Sequence, residues 1–369
     1  MITGRSPFPF AAIVGQERLK LGLVLNAIDP GIGGLLIRGP KGTGKSTAVY
    51  ALASLLPDQQ VVRDCPYGCS LEMESFLCAD CRSRVEQGET LPQVARRVRV
   101  VALPLSASED RVVGSVDMDR LLTQGQKAFR PGLLAEANQN FLYVDEINLL
   151  PDHITDDILD ASASGWHTVE REGFSLTHPA RFMLVGTMNP EEGDLRPQLL
   201  DRLPLSVMVE TIRDVSQRVE ITRRNLSFSA DPGEFARQYE QADAQIHLDI
   251  LAARMTLSDV GLPVYQLESV ADMCVALKVD GQRPEMAIVR AATAIAAYRK
   301  HNLIDEVDLK EACELALAHR TRDGGFESPA THDEIADSLD RALQKFEGKK
   351  EAGTPIRFAA QKRDGVKKN

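Results

Sequence analysis

The stretch from Gly34 to Thr47 limits the fold more than any other part of this 369-residue sequence. The apolar run GLLIR suits a buried parallel strand, and the following GPKGTGKST matches the phosphate-loop pattern G-x-x-x-x-G-K-[ST]. The next residues, AVYALASLL, have helical character up to Pro57. Strand, glycine loop and helix in this order predict an α/β protein that binds phosphate at the carboxyl end of the strand.

The residue types of this phosphate loop (Gly39–Thr47) suit the chemistry of ATP. Gly42 and Gly44 allow backbone N–H groups to approach phosphate oxygens, because no side chain intervenes. Lys45 can reach the β- and γ-phosphates, and the Ser46 hydroxyl can ligate Mg²⁺. The alternative is a glycine-rich turn without a ligand. We predict nucleotide contacts along the whole loop: Gly39, Pro40, Lys41, Gly42, Thr43, Gly44, Lys45, Ser46 and Thr47.

Two further segments supply polar residues directly after apolar runs. Asp145 and Glu146 follow FLYV, so we predict that Asp145 holds Mg²⁺ and that Glu146 polarises the attacking water. Asn189 follows RFMLVGTM and is predicted to orient that water or to contact the γ-phosphate. The alternative for Asn189 is a simple Asn-Pro turn.

Four of the six cysteines lie within seventeen positions, in the pattern C-x3-C-x8-C-x2-C. Thiolates at such spacing suit a closed structural Zn²⁺ site, formed here by Cys65, Cys69, Cys78 and Cys81. An iron–sulfur or redox site and four free thiols are the alternatives. The other two, Cys274 and Cys313, lie in helical stretches and are expected to be core residues.

The order of apolar runs predicts the domain organisation. Strand candidates precede about residue 210, whereas helical patterns prevail after about residue 235. We therefore predict a doubly wound parallel-sheet core over residues 1–212, with a cysteine-containing insert at 57–97 that is poor in regular pattern, and a connection at 213–234. A small α-helical domain (235–344) and a basic, disordered tail (345–369) complete the prediction. The strand candidates are 34–38, 98–103, 141–144, 181–187 and 205–209.

Composition excludes some classes of protein. The net charge of −10 argues against general nucleic-acid binding, although residues 345–369 carry eight Lys/Arg against three Asp/Glu. No apolar stretch reaches the length of a membrane span, and the N-terminus, interrupted by Pro7 and Pro9, does not fit a signal peptide. A cytoplasmic location is expected, because six cysteines in so long a chain do not make a disulfide scaffold.

Taken together, these motifs resemble the AAA+ ATPases, and more narrowly the ATPase I subunit (BchI/ChlI type) of magnesium chelatases. The resemblance covers roughly residues 8 to 325. The stretches that carry it are FPFAAIVGQE (8–17), DPGIGGLLIRGPKGTGKSTA (29–48), SEDRVVGSVDMDR (108–120), AFRPGLLAEAN (128–138), LYVDEINLL (142–150), SGWHTVEREGFSLTHPARF (164–182) and VGTMNPEEGDLRPQLLDRL (185–203).

The resemblance implies a hexameric ring with ATP between neighbouring subunits. It implies that Arg202 is an arginine finger, with Arg196 as second choice, although this chain has DRLPL where the family commonly has DRFGL. Arg283 would be the second sensor arginine, with Arg290 as fallback and a structural ion pair as the alternative role of Arg290. The stretch Ile13, Val14 and Gly15 would contact the adenine.

Two hairpin inserts are also implied, one within residues 111–131 and the other at 167–177 around Glu172-Gly173. In the family, such hairpins line the working face of the ring.

The implied activity is ATP hydrolysis that drives Mg²⁺ insertion into protoporphyrin IX. The resemblance implies partnership with a D subunit and a porphyrin-binding H subunit, while this chain itself binds no porphyrin. The alternatives are the ATPase of a cobalt (corrinoid) chelatase and a MoxR-like chaperone for metalloenzyme maturation. A replicative DNA helicase fits less well, because the body of the chain is acidic.

Overall fold

The computed structural model describes residues 7–117, 123, 129–171, 174–193, 195–350 and 353–357. The chain divides into two compact units. Of the described residues, the first unit combines those up to Leu55 with those from Met188 onward, and the second runs from Leu56 to Thr187. The boundaries predicted from the sequence, 1–212, 213–234 and 235–344, stay a prediction.

The strands of the described residues are β1 (Leu35–Arg38), β2 (Gln59–Val62), β3 (Gln93–Arg96), β4 (Val100–Leu103), β5 (Gly114–Val116), β6 (Phe129–Pro131), β7 (Phe141–Val144), β8 (Trp166–Arg171), β9 (Phe174–Pro179), β10 (Met183–Met188), β11 (Leu205–Met208), β12 (Gly261–Leu262) and β13 (Ile356–Arg357).

The helices are α1 (Glu17–Ile28), α2 (Lys45–Leu55), α3 (Ala79–Glu86), α4 (Glu109–Val113), α5 (Leu133–Glu136), α6 (Asp152–Ser164), α7 (Pro197–Arg202), α8 (Val215–Ala230), α9 (Pro232–Thr256), α10 (Val264–Ala276), α11 (Arg283–Tyr298), α12 (Glu306–Leu317) and α13 (His332–Phe346). Within the described part of the chain, no helix combines the length and the apolar character needed to cross a membrane.

The main sheet is parallel, with its five strands in the order β11-β1-β10-β7-β4. β1 pairs with β11, and β7 pairs with both β4 and β10. Every residue of β7 and β10 is buried, as expected for strands covered on both faces. The five strands predicted from apolar runs, and hence the doubly wound α/β class, are confirmed.

The second unit carries three antiparallel hairpins in addition to its share of the sheet: β2–β3, β5–β6 and β8–β9. The pairs β5–β6 and β8–β9 confirm the strands of the two predicted inserts. Glu172 and Gly173, the predicted turn of the second insert, and residues 118–122 and 124–128 of the first lie outside the described residues.

The insert at 57–97, whose sequence is poor in regular pattern, nevertheless contains strands and a helix. The segment begins and ends with the strands β2 and β3, and α3 lies between them. Gln59 pairs with Arg96 at one end of this hairpin and Val62 with Gln93 at the other. The two strands are far apart in sequence, so a local pattern did not reveal their pairing.

The remainder of the first unit is mainly helical, and α9 to α13 account for the helical patterns seen in the sequence after about residue 235. The prediction of a disordered tail from Lys345 onward is wrong for the described part. Lys345 lies in α13 and pairs with Asp272 at 2.5 Å, and β13 pairs with β12. Ion pairs and one short strand pairing order a segment whose composition suggested disorder. Residues 358–369 lie outside the described residues.

Candidate nucleotide-binding site and cysteine cluster

The phosphate loop begins at Gly39, directly after β1, where any side chain would force the neighbouring backbone to move. Gly39 has φ +147°, and a Cβ at this position would lie 2.1 Å from the carbonyl oxygen of Val209. Its backbone N–H donates to the carbonyl oxygen of Met188 (3.0 Å). Gly39 therefore lets the chain pass between two neighbouring backbone segments at the point where the loop begins.

The middle of the loop is open to an incoming anion. Gly42 and Gly44 have φ values of +78° and +79°, and no atom lies within 4 Å of the positions that their Cβ atoms would occupy. Lys45 Nζ donates to the carbonyl oxygens of Gly39 (2.6 Å) and Pro40 (3.1 Å), so its charge is held over the loop. Exposed backbone, positive charge and the start of α2 fit the phosphates of a nucleotide.

The acidic pair follows β7 in the second unit and depends on Thr187, a residue that the sequence analysis missed. Thr187 is 1% exposed; its hydroxyl donates to Asp145 Oδ1 and accepts from the backbone N–H of Glu146 (3.1 Å). Tyr143 also donates to Asp145 Oδ1 (3.2 Å). Glu146 has φ +54°, a conformation that costs about 1–3 kcal/mol in a non-glycine residue. Thr187 thus fixes both acids, and the carboxylate of Asp145 is a suitable ligand for Mg²⁺.

Asn189 follows β10 and forms the turn that was the alternative interpretation. Its side-chain oxygen accepts from the backbone N–H of Glu191 (3.3 Å), and the residue is 8% exposed. The amide N–H groups of the side chain do not take part in this hydrogen bond. Contact of Asn189 with water or the γ-phosphate stays a prediction.

Arg202 ends α7, and the residues on both sides of it are tied to distant parts of the first unit. Asp201 accepts from Arg283 Nη1 (2.9 Å) and from Arg320 Nη1, which reaches both its Oδ1 and its backbone oxygen at 3.0 Å. Arg320 is 2% exposed and was missed from the sequence. Arg283, predicted as the second sensor, therefore shares a carboxylate with a buried arginine next to the predicted finger.

On the other side of Arg202, the backbone oxygen of Leu203 contacts His319 Nε2 at 2.7 Å. Because a carbonyl oxygen can only accept, Nε2 carries the proton. Burial, with the nearby positive charge of Arg320, lowers the pKa of His319 to about 3, so the ring is neutral. The alternative residue Arg290 pairs with Asp29 (3.1 Å), which confirms its expected structural ion pair.

The stretch predicted to contact adenine lies just before α1. Gly15 and Gln16 both have positive φ, +64° and +60°. A Cβ at Gly15 would lie 3.1 Å from Gln217 Oε1, and the oxygen of Ala12 accepts from Arg224. α8 therefore supports this sharp bend. The role of Ile13, Val14 and Gly15 towards adenine stays a prediction.

The cysteine cluster is buried in the second unit. The sulfurs of Cys65, Cys69, Cys78 and Cys81 all lie within 4.8 Å of one another, and all four residues are free cysteines. Hydrogen bonds from Cys69 and Cys78 hold the pKa of the Cys65 thiol well below its usual range, whereas burial raises that of Cys81. The structure brings these four cysteines together, and the metal that they are predicted to hold stays a prediction. Cys274 and Cys313 are buried core residues, as expected.

Comparison with known proteins places this site in a family. A family model described as magnesium chelatase, subunit ChlI, matches residues 106–198, and one described as AAA lid domain matches residues 267–339. The chain is 47% identical to the magnesium-chelatase subunit ChlI homolog of Methanocaldococcus jannaschii, over 92% of this chain and 91% of that protein. The chain belongs to the magnesium-chelatase subunit ChlI family. It is also 46% identical to magnesium-chelatase subunit ChlI of Chlorella vulgaris, over 92% of this chain and 96% of that protein.

Solved structures agree with membership of the ChlI family. A model of the complex between subunits BchI and BchD of magnesium chelatase, based on a single-particle cryo-EM reconstruction, contains a chain 44% identical to this one. Its TM-score is 0.50, and the match covers 90% of this chain and 100% of that chain. A putative ATPase from Cytophaga hutchinsonii has a TM-score of 0.57 at 15% identity, over 94% of this chain and 93% of that chain, a likeness of fold alone.

Proposed function

We propose that this chain is the ATP-hydrolysing motor subunit of a magnesium chelatase, the enzyme that inserts Mg²⁺ into protoporphyrin IX for the synthesis of chlorophyll or bacteriochlorophyll. The observation that carries this proposal is the identity of 46–47% to ChlI proteins over 92% of the chain, together with an intact phosphate loop and acidic pair. Metal insertion itself belongs to partner subunits.

The predicted site residues take different parts of the reaction. Bound MgATP supplies the phosphoryl group that is transferred to water. Lys45 and the N–H groups of the loop hold the phosphates, while Ser46 and Asp145 hold the Mg²⁺ ion. Glu146 accepts a proton from the attacking water, and Asn189 orients that water. Thr187 keeps the two acids in place through the hydrogen bonds described above.

The proposal extends to a hexameric ring in which Arg202 of one subunit neutralises charge on the nucleotide of its neighbour. Asp201 supports this role, because it is held by Arg283 and Arg320 and fixes the end of α7. A D subunit and a porphyrin-binding H subunit are the proposed partners, and the related BchI is in complex with BchD in the solved structure. A cytoplasmic location belongs to the same proposal.

The experiment is a reconstituted chelatase assay. The purified chain is mixed with D and porphyrin-binding subunits, Mg²⁺, ATP and protoporphyrin IX, and Mg-protoporphyrin is followed by its fluorescence. We expect product with the natural chain and none with Lys45→Ala. Lys349→Ala is a matched control, since Lys349 pairs with Glu268 on the surface.

Two results would contradict the proposal in different ways. ATP turnover without Mg-protoporphyrin would reject the chelatase but keep the ATPase, and Co²⁺ with a corrinoid substrate would then be tested. Normal turnover by Lys45→Ala would reject the nucleotide site itself.

A further inference from the structure

We propose that Cys65, Cys69, Cys78 and Cys81 bind one Zn²⁺ ion in a closed tetrathiolate site, and that this ion holds the cysteine loop (residues 63–81) against the base of the β8–β9 hairpin. All of these residues lie in the second unit, and the zinc site does not depend on the proposed ATPase activity.

The sulfur geometry fits a single tetrahedral ion. Zn–S bonds of about 2.3 Å place the sulfurs at the corners of a tetrahedron about 3.8 Å apart. The sulfurs of Cys65 and Cys78 are 3.8 Å apart, and all four sulfurs lie within 4.8 Å of one another. A polynuclear iron–sulfur cluster would separate its cysteine ligands by the width of its core. The cluster therefore has room for one ion.

Hydrogen bonds favour thiolates at this site. The backbone N–H of Cys78 donates to the sulfur of Cys69 (3.2 Å), and that of Cys81 donates to the sulfur of Cys78 (3.5 Å). Such donors stabilise negative charge on sulfur.

A partly buried cation, Arg96, lies beside the cluster, and its charge is opposite to that of a zinc ion with four thiolates. Arg96 packs against Gly68, where a Cβ would lie 2.5 Å from its Nη2 atom. Its Nε and Nη2 atoms are buried and make no hydrogen bond, and no carboxylate among the described residues pairs with it. A zinc ion with four thiolates carries a net charge of −2, so it would compensate this positive charge.

The loop lacks a core of its own. Besides the cysteines, the buried cluster at this loop contains only Leu77 from the loop itself and Val62 and Leu91 from outside it, with Tyr67 and Leu71 packed at the edge. So small a cluster does not fix a long loop, and a structural metal commonly supplies the missing order. All four ligands come from the protein and are buried, which leaves no coordination position for a substrate.

Ring contacts connect the loop to the base of the hairpin. Tyr67 stacks on His178 in β9, with 5.1 Å between ring centroids and 5° between planes. Phe76 stacks on Trp166 in β8 at 5.8 Å and 20°. The guanidinium of Arg181 lies 5.1 Å from the centroid of Phe76.

Hydrogen bonds fix the same loop to the segment before β7. Asn138 donates to the backbone oxygen of Tyr67 (2.9 Å), and Gln139 donates to that of Gly68 (2.7 Å). Since Tyr67 and Gly68 lie between two ligands, Cys65 and Cys69, a metal that fixes these ligands also fixes the surface on which the hairpin rests.

The test is the metal content of the purified full chain. We expect about one zinc ion per chain in the natural protein. The variant Cys78→Ser/Cys81→Ser should contain at least tenfold less zinc than the natural protein. Cys274→Ser, which changes a buried cysteine outside the cluster, should keep the natural zinc content. Stoichiometric iron, disulfides, or four freely titrating thiols in the natural protein would overturn the proposal.

Two measurements on the natural chain keep the proposal testable if the double variant does not fold. Protein grown with Co²⁺ should show the intense visible bands of tetrahedral cobalt thiolate, and a weak octahedral spectrum would overturn the site. Removal of zinc should raise amide hydrogen exchange in residues 166–171 and 174–179. Unchanged exchange would overturn the role at the hairpin. ATP turnover, measured in parallel, reports separately on the proposed ATPase.

Discussion

The phosphate loop and the cysteine loop both precede a helix, yet they are built in opposite ways. The phosphate loop presents exposed backbone at Gly42 and Gly44, with open space where side chains would lie. The cysteine loop turns four sulfurs into a buried cluster. A ligand that must be exchanged in each cycle needs the first arrangement, whereas a ligand that is kept for the life of the fold needs the second.

The largest effect that sharpens this comparison comes from chelation. EDTA in excess over Mg²⁺ should stop ATP hydrolysis completely, because Mg²⁺ keeps most of its water ligands and is bound weakly. Added Mg²⁺ should restore the rate. Zinc content, measured after the same treatment and desalting, should stay at about one per chain. Loss of zinc together with activity would erase the distinction between an exchanged and a retained ligand.

Arg202→Ala should lower ATP turnover by about 10³–10⁵-fold while nucleotide binding persists, because an arginine finger acts only on charge that develops during transfer. Steady-state hydrolysis and binding of a fluorescent nucleotide measure the two effects. Arg237→Ala is the control, since Arg237 pairs with Glu234 on the surface.

Mixing Arg202→Ala with Lys45→Ala should partly restore turnover if the finger acts across a subunit interface. No recovery in mixed rings would contradict the proposed role of the neighbour.

Glu146→Gln should lower turnover by about 10²–10⁴-fold, the usual contribution of a general base. ATP binding and the melting temperature should change little, because Thr187 holds the backbone N–H of this residue rather than its carboxylate. Hydrolysis at the normal rate would reject the assignment of Glu146 as the general base. A large drop in melting temperature would show that Glu146 stabilises the fold, as the cysteine cluster is proposed to do.

The smallest predicted effect is a pH dependence of stability, which comes from two histidines of the β8–β9 hairpin. Burial lowers the pKa of His178 to about 4, and that of neighbouring His167 is lowered by burial as well. The unfolded chain therefore binds more protons, and stability should fall as pH drops from about 6.5 towards 4, by about 2 kcal/mol between pH 7.5 and pH 5.

Thermal melts of the natural chain and His178→Gln at both pH values check this expectation. The glutamine can still donate to the oxygen of Pro179 but does not titrate, so its pH dependence should be smaller. Equal dependence in both proteins would contradict it.

The sequence predicted most of the fold because the five sheet strands are continuous apolar runs, such as FLYV in β7, and parallel strands buried on both faces require such runs. It did not predict β2 pairing with β3, since Gln59 and Arg96 are 37 positions apart and both strands are short. The tail was misjudged because lysines indicate solvation unless their partners are known, and Asp272 and Glu268 are distant in sequence.

The site shows the same limit. The residues predicted to contact ligands stand in local patterns: Lys45 and the four cysteines in motifs of fixed spacing, and Asp145 directly after an apolar run. The residues that hold them could not be found in this way. Thr187 bonds to Asp145 across 42 positions, and Arg320 reaches Asp201 across 119. Ordinary threonines and arginines carry no local pattern that marks such a role.

The division of the chain also sets an order of events during synthesis. The first unit needs residues on both sides of the second, because Leu55 and Met188 belong to it while Leu56–Thr187 does not. The helix that begins with Lys45 must therefore wait, on the order of ten seconds at ordinary translation rates, until the ribosome delivers the residues after Met188. The cysteine loop waits for nothing beyond its own contiguous unit. In a newly made chain we expect the cysteines to be enclosed before the nucleotide loop has its neighbours.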